Sequence, residues 1–224
     1  MKHLLLIILF APVVSFSAIP RKKSSSDFVR ALGAPHKIAV AEIYKMGPSA
    51  YRKLNDIAFD SSQPMNTRWK SFMVMTSIGN KKSLPEINKA LRDKVWYMRS
   101  AGLLAMQKVD RKKSIEWAQF LLKKDPALLV RVKALDVLKD IPKDQNKDLF
   151  WNQLYSKENF HRDESLWIRG KLASHLADFP RKKDLKKWKK ALFDKDVKVQ
   201  NEAARAIEKI TGKKAGSFSN KQKI

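Results

Sequence analysis

Acidic and basic side chains recur at one fixed spacing along this chain. An arginine, or once a glutamine, returns after 31, 32, 38 and 31 residues, and an aspartate, or once a serine, stands six positions before it. The column consists of Arg68, Arg99, Arg131, Arg169 and Gln200, preceded by Ser62, Asp93, Asp125, Asp163 and Asp194. A carboxylate and a guanidinium at a fixed distance could bind an anion or take part in catalysis. Two interpretations of this Asp–Arg column are therefore open, one functional and one structural.

The column residue lies on the apolar face of the helix expected to carry it. With a helical period of 100° per residue, the apolar positions around it fall between about −100° and +60° of the column residue. The residues seven positions on are Met75, Met106, Leu138, Leu176 and Ile207. A guanidinium on such a face needs an acidic partner and carbonyl acceptors, because an unpaired buried charge is very costly. This placement favours the structural interpretation.

Paired helices must position the column, because self-similarity at this period is typical of a repeat array. First helices are predicted at 84–92, 115–123, 147–155 and 185–193, each followed by a second helix with the column residue. Their expected N-caps are Ser83, Ser114, Asn146 and Asp184. A pair at 49–59 and 65–78 comes earlier, after a degenerate pair at 28–32 and 37–46. The long interval between Arg131 and Arg169 predicts a loop insertion of about six residues near 156–162.

The stretch LVRVKALDVL, from Leu129 to Leu138, resembles HEAT repeats in its Val-Arg-x-x-Ala-like wording and in the Asp that precedes it. The resemblance implies an all-α fold, a right-handed superhelical solenoid of about five to six HEAT-like helix pairs over residues 27–211. It also implies that the turn aspartates cap second helices and accept hydrogen bonds from arginines of neighbouring repeats. The implied acceptors are Asp93, Asp125, Asp163 and Asp194, and the implied donors are Arg99, Arg131 and Arg169. Ser62 and Gln200 depart from the pattern, so the ladder should weaken at both ends.

The chain is strongly basic in its body as well as at its ends. Lys and Arg number 47 against 22 acidic residues, a formal net charge of +25. Eight cations lie at the two ends, so a charge of +17 remains on the repeats. Such an excess exceeds what solubility requires and predicts an anionic partner.

The N-terminus has the pattern of an export signal. Lys2 precedes a short apolar run from Leu4 to Val14, and Ser15-Phe16-Ser17 offers a small-x-small cleavage site. We expect a signal peptide at 1–17, a flexible basic leader at 18–26 and a disordered basic tail at 212–224. An uncleaved anchor is the alternative, although the run is short for a membrane span. The chain has no Cys, which suits a periplasmic or secreted protein that folds without disulfides.

The outer face of the second helices carries a second recurring pattern, the groove stripe. It mixes aromatic and apolar residues two before the column with cations two or five after it, and its members are Lys70, Tyr97, Leu129, Lys133, Trp167, Lys171 and Arg205. In HEAT solenoids the second helices line the concave side, so the resemblance places this stripe in a groove. Rings interleaved with lysines could grip an acidic peptide, an anionic glycan or a nucleic-acid strand. Packing against other segments is the equally weighted alternative, because large aromatic residues are usually buried.

A basic edge is predicted where one repeat turns into the next. Its members are Lys81, Lys82, Arg111, Lys112, Lys113, Lys143, Arg181, Lys182 and Lys183. Each cluster precedes a helix N-terminus, where free backbone N–H groups and cations together could bind an anion. Ordinary solvated turns are the alternative.

The remaining residues make no positive case for catalysis. His36, His161 and His175 lack metal-ligand spacing, and we find no Gly-rich phosphate loop or nucleophile elbow. We expect no cofactor and predict a non-enzymatic, exported scaffold that recognises an acidic protein or other anionic polymer. The alternative is a nucleic-acid-binding protein related to DNA-alkylation-repair glycosylases, which are basic and built of similar repeats. Electrostatic attachment to an anionic membrane is a third possibility.

Overall fold

The computed structural model describes residues 25–139, 141 and 145–214. The expected signal peptide, most of the leader, Lys143 and most of the basic tail lie outside the described residues. Ser25 and Ser26, assigned above to the flexible leader, instead form the start of the first helix.

The described chain is all-helical apart from one small hairpin, and its helices follow one another in pairs. Their bounds are α1 Ser25–Gly33, α2 His36–Tyr44, α3 Pro48–Phe59, α4 Met65–Gly79, α5 Leu84–Leu91, α6 Trp96–Val109, α7 Arg111–Lys124, α8 Leu128–Leu138, α9 Lys147–Leu154, α10 Ile168–Asp178, α11 Leu185–Ala191 and α12 Val197–Thr211. Pro48 occupies the first turn of α3, where its missing N–H costs nothing. Gly212 ends α12 in the left-handed conformation with φ 70°.

Each first helix packs on the second helix that follows it. The pairs are α1 with α2, α3 with α4, α5 with α6, α7 with α8, α9 with α10, and α11 with α12. The second helices also contact one another in succession, from α2 through α4, α6, α8 and α10 to α12. Buried apolar side chains of the first and second helices together form a single cluster that runs from Phe28 to Ile207. The column helices therefore share one core, which fixes each repeat against the next.

The expected N-cap residues have a different role in the structure. Ser83, Asn146 and Asp184 accept no hydrogen bond from the first-turn amides of their helices. The α7 helix begins four residues earlier than predicted, at Arg111, with Asp110 as its cap. Instead, the Tyr51 hydroxyl donates to Ser83 at 3.1 Å, and the Gln119 amide donates to Asn146 at 3.0 Å. These buried polar residues join successive first helices to each other.

The predicted insertion between α9 and α10 is ordered. A 3₁₀ turn at Lys157–Asn159 leads into β1 Phe160–His161, which pairs antiparallel with β2 Glu164–Ser165. Arg162 and Asp163 form the turn with φ of 49° and 66°. Positive φ at both central residues is the type I′ geometry of a two-residue hairpin loop.

Close approach of α5 and α6 depends on a glycine. A Cβ at Gly102 would lie 2.9 Å from the Leu91 backbone nitrogen and 3.2 Å from the Ala90 carbonyl carbon. We expect Gly102→Ala to lower the free energy of unfolding by about 1–3 kcal/mol, because backbone atoms cannot move aside as a side chain can. Urea unfolding measures the change. Gly33→Ala, where no atom lies within 4 Å of the added Cβ, is the matched control, and an equal loss in both variants would contradict the close-packing explanation.

Candidate functional site

The Asp–Arg column forms a chain of contacts between successive repeats. Arg99 donates from Nε and Nη2 to the two carboxylate oxygens of Asp125, at 2.6 and 2.8 Å. Its Nη1 donates to the carbonyl of Asp93, six residues earlier, at 2.9 Å. The bond to Asp125 raises the pKa of Arg99. One guanidinium thus binds the turn of its own repeat and the acid of the next.

Three aspartates of the column each bind two partners, a backbone amide and an arginine side chain. Asp93, Asp125 and Asp194 accept a hydrogen bond from the amide two residues on, at 2.8, 2.9 and 2.9 Å, and so fix the turn before α6, α8 and α12. Each of these carboxylates also faces the arginine of the preceding repeat. Arg169 reaches Asp194 at 2.6 Å, and Arg68 lies 3.7 Å from Asp93. Since one carboxylate closes a turn and an ion pair together, the register between repeats is coupled to helix initiation.

Arg131 departs from this pattern and corrects the prediction for Asp163. Arg131 is 2% exposed, and its Nε donates to Asn159 at 3.2 Å while Nη2 donates to the Glu158 carbonyl at 2.6 Å. Asp163 stands at the expected spacing, but it lies exposed at the tip of the hairpin. The extra residues of the insertion move Asp163 away from the repeat interface and bring the 3₁₀ turn against Arg131. Burial opposite these neutral acceptors lowers the pKa of Arg131.

The two ends of the column differ from its middle. Ser62 is exposed and bonds only within its own turn, to the carboxylate of Asp60. Gln200 donates from Nε2 to the Asp194 carbonyl at 2.5 Å, the six-residue contact that Arg99 and Arg131 also make. Gln200 thus makes the same hydrogen bond within its own repeat. Because its side chain is a neutral amide, this bond does not require a charge to be buried.

The column's chemistry is therefore directed inward. Arg68, Arg131 and Arg169 are buried, and their donors are taken up by protein carbonyls, side-chain oxygens and carboxylates. Such a network stabilises packing between repeats, because every buried polar group in it has a partner.

Parts of the groove stripe are also bound internally. Lys70 donates to the Gly33 carbonyl at 2.8 Å, and Tyr97 accepts from Arg68 Nη1 at 2.9 Å. Arg205 pairs with Asp178 at 3.0 Å and with Glu202 at 2.6 Å. These three side chains support neighbouring helices, and their charge or hydroxyl is already engaged.

The part of the stripe that includes exposed apolar side chains lies on α8 and at the start of α10, and we name it the α8–α10 patch: Leu129, Lys133, Trp167 and Lys171. Leu129 is 50% exposed and Trp167 is 44% exposed. Lys171 lies over the Trp167 ring at 5.5 Å from its centroid and reaches Asp136 of α8 at 3.4 Å. The patch presents two large apolar side chains beside cations, across two successive second helices.

The members of the basic edge that the structure describes are exposed except Arg181. Lys81, Lys82, Lys112, Lys113, Lys182 and Lys183 are all solvent-exposed, as is Arg111. Arg181 is half-buried and is held by two carboxylates, Asp148 and Asp184, each at 2.6 Å. Arg181 therefore links the α9 and α11 repeats and contributes little to an anion-binding edge.

Sequence reasoning missed a buried lysine at the start of α9. Lys147 Nζ donates to the His175 and Leu176 carbonyls, both at 3.1 Å, and so caps the last turn of α10. A cation at a helix N-terminus opposes the dipole of its own helix but suits the C-terminus of another. A lysine at the N-terminus of its own helix was therefore the sequence signal that Lys147 binds elsewhere. Beside Lys147, His175 and Phe150 line a small cavity of about 60 Å³.

Two further features, a membrane-spanning helix and a metal site, are absent from the described residues. In residues 25–139, 141 and 145–214, no helix is both long enough and apolar enough to cross a membrane. The same part of the chain holds no group of three or more His, Asp or Glu residues placed to bind a metal ion.

No protein-family model matches the chain, and no curated protein matches it. The resemblance to HEAT repeats therefore depends on the residues quoted above.

Two substitutions distinguish the acceptor found in the structure from the one expected from spacing. Asn159→Ala should lower the free energy of unfolding by about 2–4 kcal/mol, since it leaves the buried Arg131 Nε without an acceptor. Asp163→Asn keeps a residue that tolerates positive φ and should change stability by less than about 0.5 kcal/mol. Guanidinium unfolding of both variants measures the difference, and a larger loss for Asp163→Asn would refute the assignment.

The burial of His175 predicts a pH dependence of stability. Burial lowers the pKa of His175 below its ordinary value, so the unfolded chain binds the proton first as the pH falls. The free energy of unfolding should therefore be highest above about pH 6.5, and it should decrease as the pH falls below that value. Thermal unfolding at about pH 7.5 and at about pH 5.5 measures this decrease. The decrease between the two pH values should be smaller for His175→Gln than for the unsubstituted chain. An equal loss in both would place the titrating group elsewhere.

Proposed function

We propose that the helix pairs form a right-handed superhelical solenoid of HEAT-like repeats, exported to the periplasm or secreted. In this proposal the protein is a non-enzymatic binding scaffold for an acidic protein or other anionic polymer. The unbroken row of contacts from α2 to α12 supports the solenoid, because each second helix packs on the next at the same position in its repeat. The recurring Asp–Arg contacts support it too, since they repeat the same interface between successive pairs.

The α8–α10 patch is the observation that carries the binding proposal. Leu129 and Trp167 leave half or nearly half of their surface in water, although burying a side chain of this size contributes about 1.5–3 kcal/mol. Lys133 and Lys171 stand one turn from these two residues on the same helices. Apolar area flanked by cations suits a partner that presents apolar side chains among carboxylates.

The net positive charge supports an anionic partner and should also affect how fast the two associate. With a formal charge of +25, long-range attraction should accelerate encounter and make binding depend on salt. The patch would then decide which anionic partner remains bound, because the apolar contacts are insensitive to salt. The ligand expected for the α8–α10 patch is an extended acidic chain with interspersed apolar groups.

The proposal is tested by removing the patch and measuring affinity for a simple acidic chain. Lys133→Gln with Trp167→Ala should weaken binding of a poly-glutamate–tyrosine copolymer about tenfold, from roughly 1 kcal/mol of apolar burial and up to about 1 kcal/mol for an exposed ion pair. Fluorescence anisotropy of the labelled copolymer across a salt series gives the dissociation constants.

The matched control makes the same chemical changes on a first helix. Lys123→Gln with Phe120→Ala, both at exposed positions of α7, alters charge and aromatic content equally. It should leave the affinity within about twofold of the unsubstituted value. If both double variants lose affinity equally, the copolymer recognises net charge alone and the patch is not its site.

A further inference from the structure

The last repeat presents a row of exposed lysines outside the groove stripe. The 3₁₀ turn Lys182–Asp184 leads directly into α11, and hydrogen bonds from Leu192 and Phe193 continue the helical path beyond Ala191. Along this path the residues of one face are all exposed, and they form the lysine stripe: Lys182, Lys183, Lys186, Lys189, Lys190 and Phe193. The positions Lys186, Lys189, Lys190 and Phe193 follow the i, i+3, i+4, i+7 spacing of one helix face.

The opposite face of α11 anchors this stripe. Trp188 is buried and lies edge-on to Trp151 of the preceding repeat, with ring centroids 4.6 Å apart. Ala191 is buried on the same side. The stripe is therefore carried on a helix fixed by aromatic packing, and it extends over about 18 Å at 1.5 Å per residue.

The acidic residues of this segment are turned toward the protein. Asp184 is buried and pairs with Arg181 at 2.6 Å and with Lys187 at 3.8 Å. Asp194 faces Arg169. Both carboxylates are thus engaged by cations outside the stripe, whereas the side chains of the stripe are exposed to solvent.

The chemistry of the stripe favours a diffuse anionic surface. Its cations are all lysines, which act as point charges and lack the planar fork with which arginine binds one carboxylate or phosphate in fixed geometry. Phe193, at the end of the stripe, is 62% exposed. An aromatic side chain beside lysines can enter the acyl boundary of a bilayer while the ammonium groups stay among the headgroups.

We propose that the lysine stripe docks the protein on an anionic lipid bilayer, with Phe193 entering the interface. This surface lies on a first helix and takes a different partner from the α8–α10 patch, so the inference stands independently of the binding proposal above. Docking through α11 would leave the patch on the second helices available for its own ligand.

Vesicle co-sedimentation of the full chain tests the proposal. The vesicles contain phosphatidylcholine alone or equal parts of phosphatidylcholine and phosphatidylglycerol, at a series of salt concentrations. We expect a strong preference for the anionic vesicles that salt reduces. Lys183→Gln, Lys186→Gln and Lys190→Gln together should weaken anionic binding by roughly a hundredfold, from about fivefold per lysine near a charged surface. The neutral vesicles measure any contribution of the apolar N-terminal run, which all variants share.

The matched control removes three exposed lysines outside both the lysine stripe and the basic edge, Lys94→Gln, Lys123→Gln and Lys124→Gln. It changes net charge equally and should retain most of the anionic binding. Phe193→Ser should remove the fraction of anionic binding that persists at high salt, and circular dichroism verifies that each variant is folded. Equal losses in the two lysine variants would overturn the proposal. So would binding of soluble poly-glutamate through the stripe without any preference for anionic vesicles.

Discussion

The requirement that a buried guanidinium be fully hydrogen-bonded governs how the repeats of this protein meet. An arginine inside an apolar face is tolerated only if carbonyls and a carboxylate surround it. Arg99 meets this requirement by bonding to the Asp93 carbonyl of its own repeat and to both oxygens of Asp125 in the next. A shift between these repeats would leave a buried charge unpaired. Apolar packing between helices is less selective, so the column supplies the register that the core alone would leave loose.

The same requirement determines where positive charge remains at the surface. Aspartates that pair with column arginines, such as Asp125 and Asp194, are turned inward. Asp184 is likewise directed to Arg181. The lysines of α11 are exposed to solvent, whereas Trp188 of the same helix is buried. A chain with an ordinary number of acidic residues can thus present faces that are almost wholly cationic.

Arg131 shows that the guanidinium requires acceptors and does not require a carboxylate in particular. The insertion between α9 and α10 removed the turn aspartate from the interface, and Asn159 with the Glu158 carbonyl replaced it. Residue spacing pointed to Asp163, because spacing records how many residues separate two positions and not where the extra residues fold. The hairpin turn at Arg162 and Asp163 absorbs them. The expected caps Ser83 and Asn146 failed for a related reason, since their bonds to Tyr51 and Gln119 come from the neighbouring repeat.

By itself, the sequence determined the helical content, the pairing of helices, the burial of the column arginines and the position of the insertion. Those features depend on periodicity and on local signals such as Gly212, which act within one or two turns of chain. Only the tertiary structure decided the ion pairs outside the column, such as Lys171 with Asp136 and Arg205 with Asp178. Such partners lie about thirty residues apart and meet only when repeats stack, so no local pattern reveals them. The stacking of repeats also decided the fate of the predicted groove stripe. Lys70, Tyr97 and Arg205 make internal contacts, whereas Leu129 and Trp167 remain exposed.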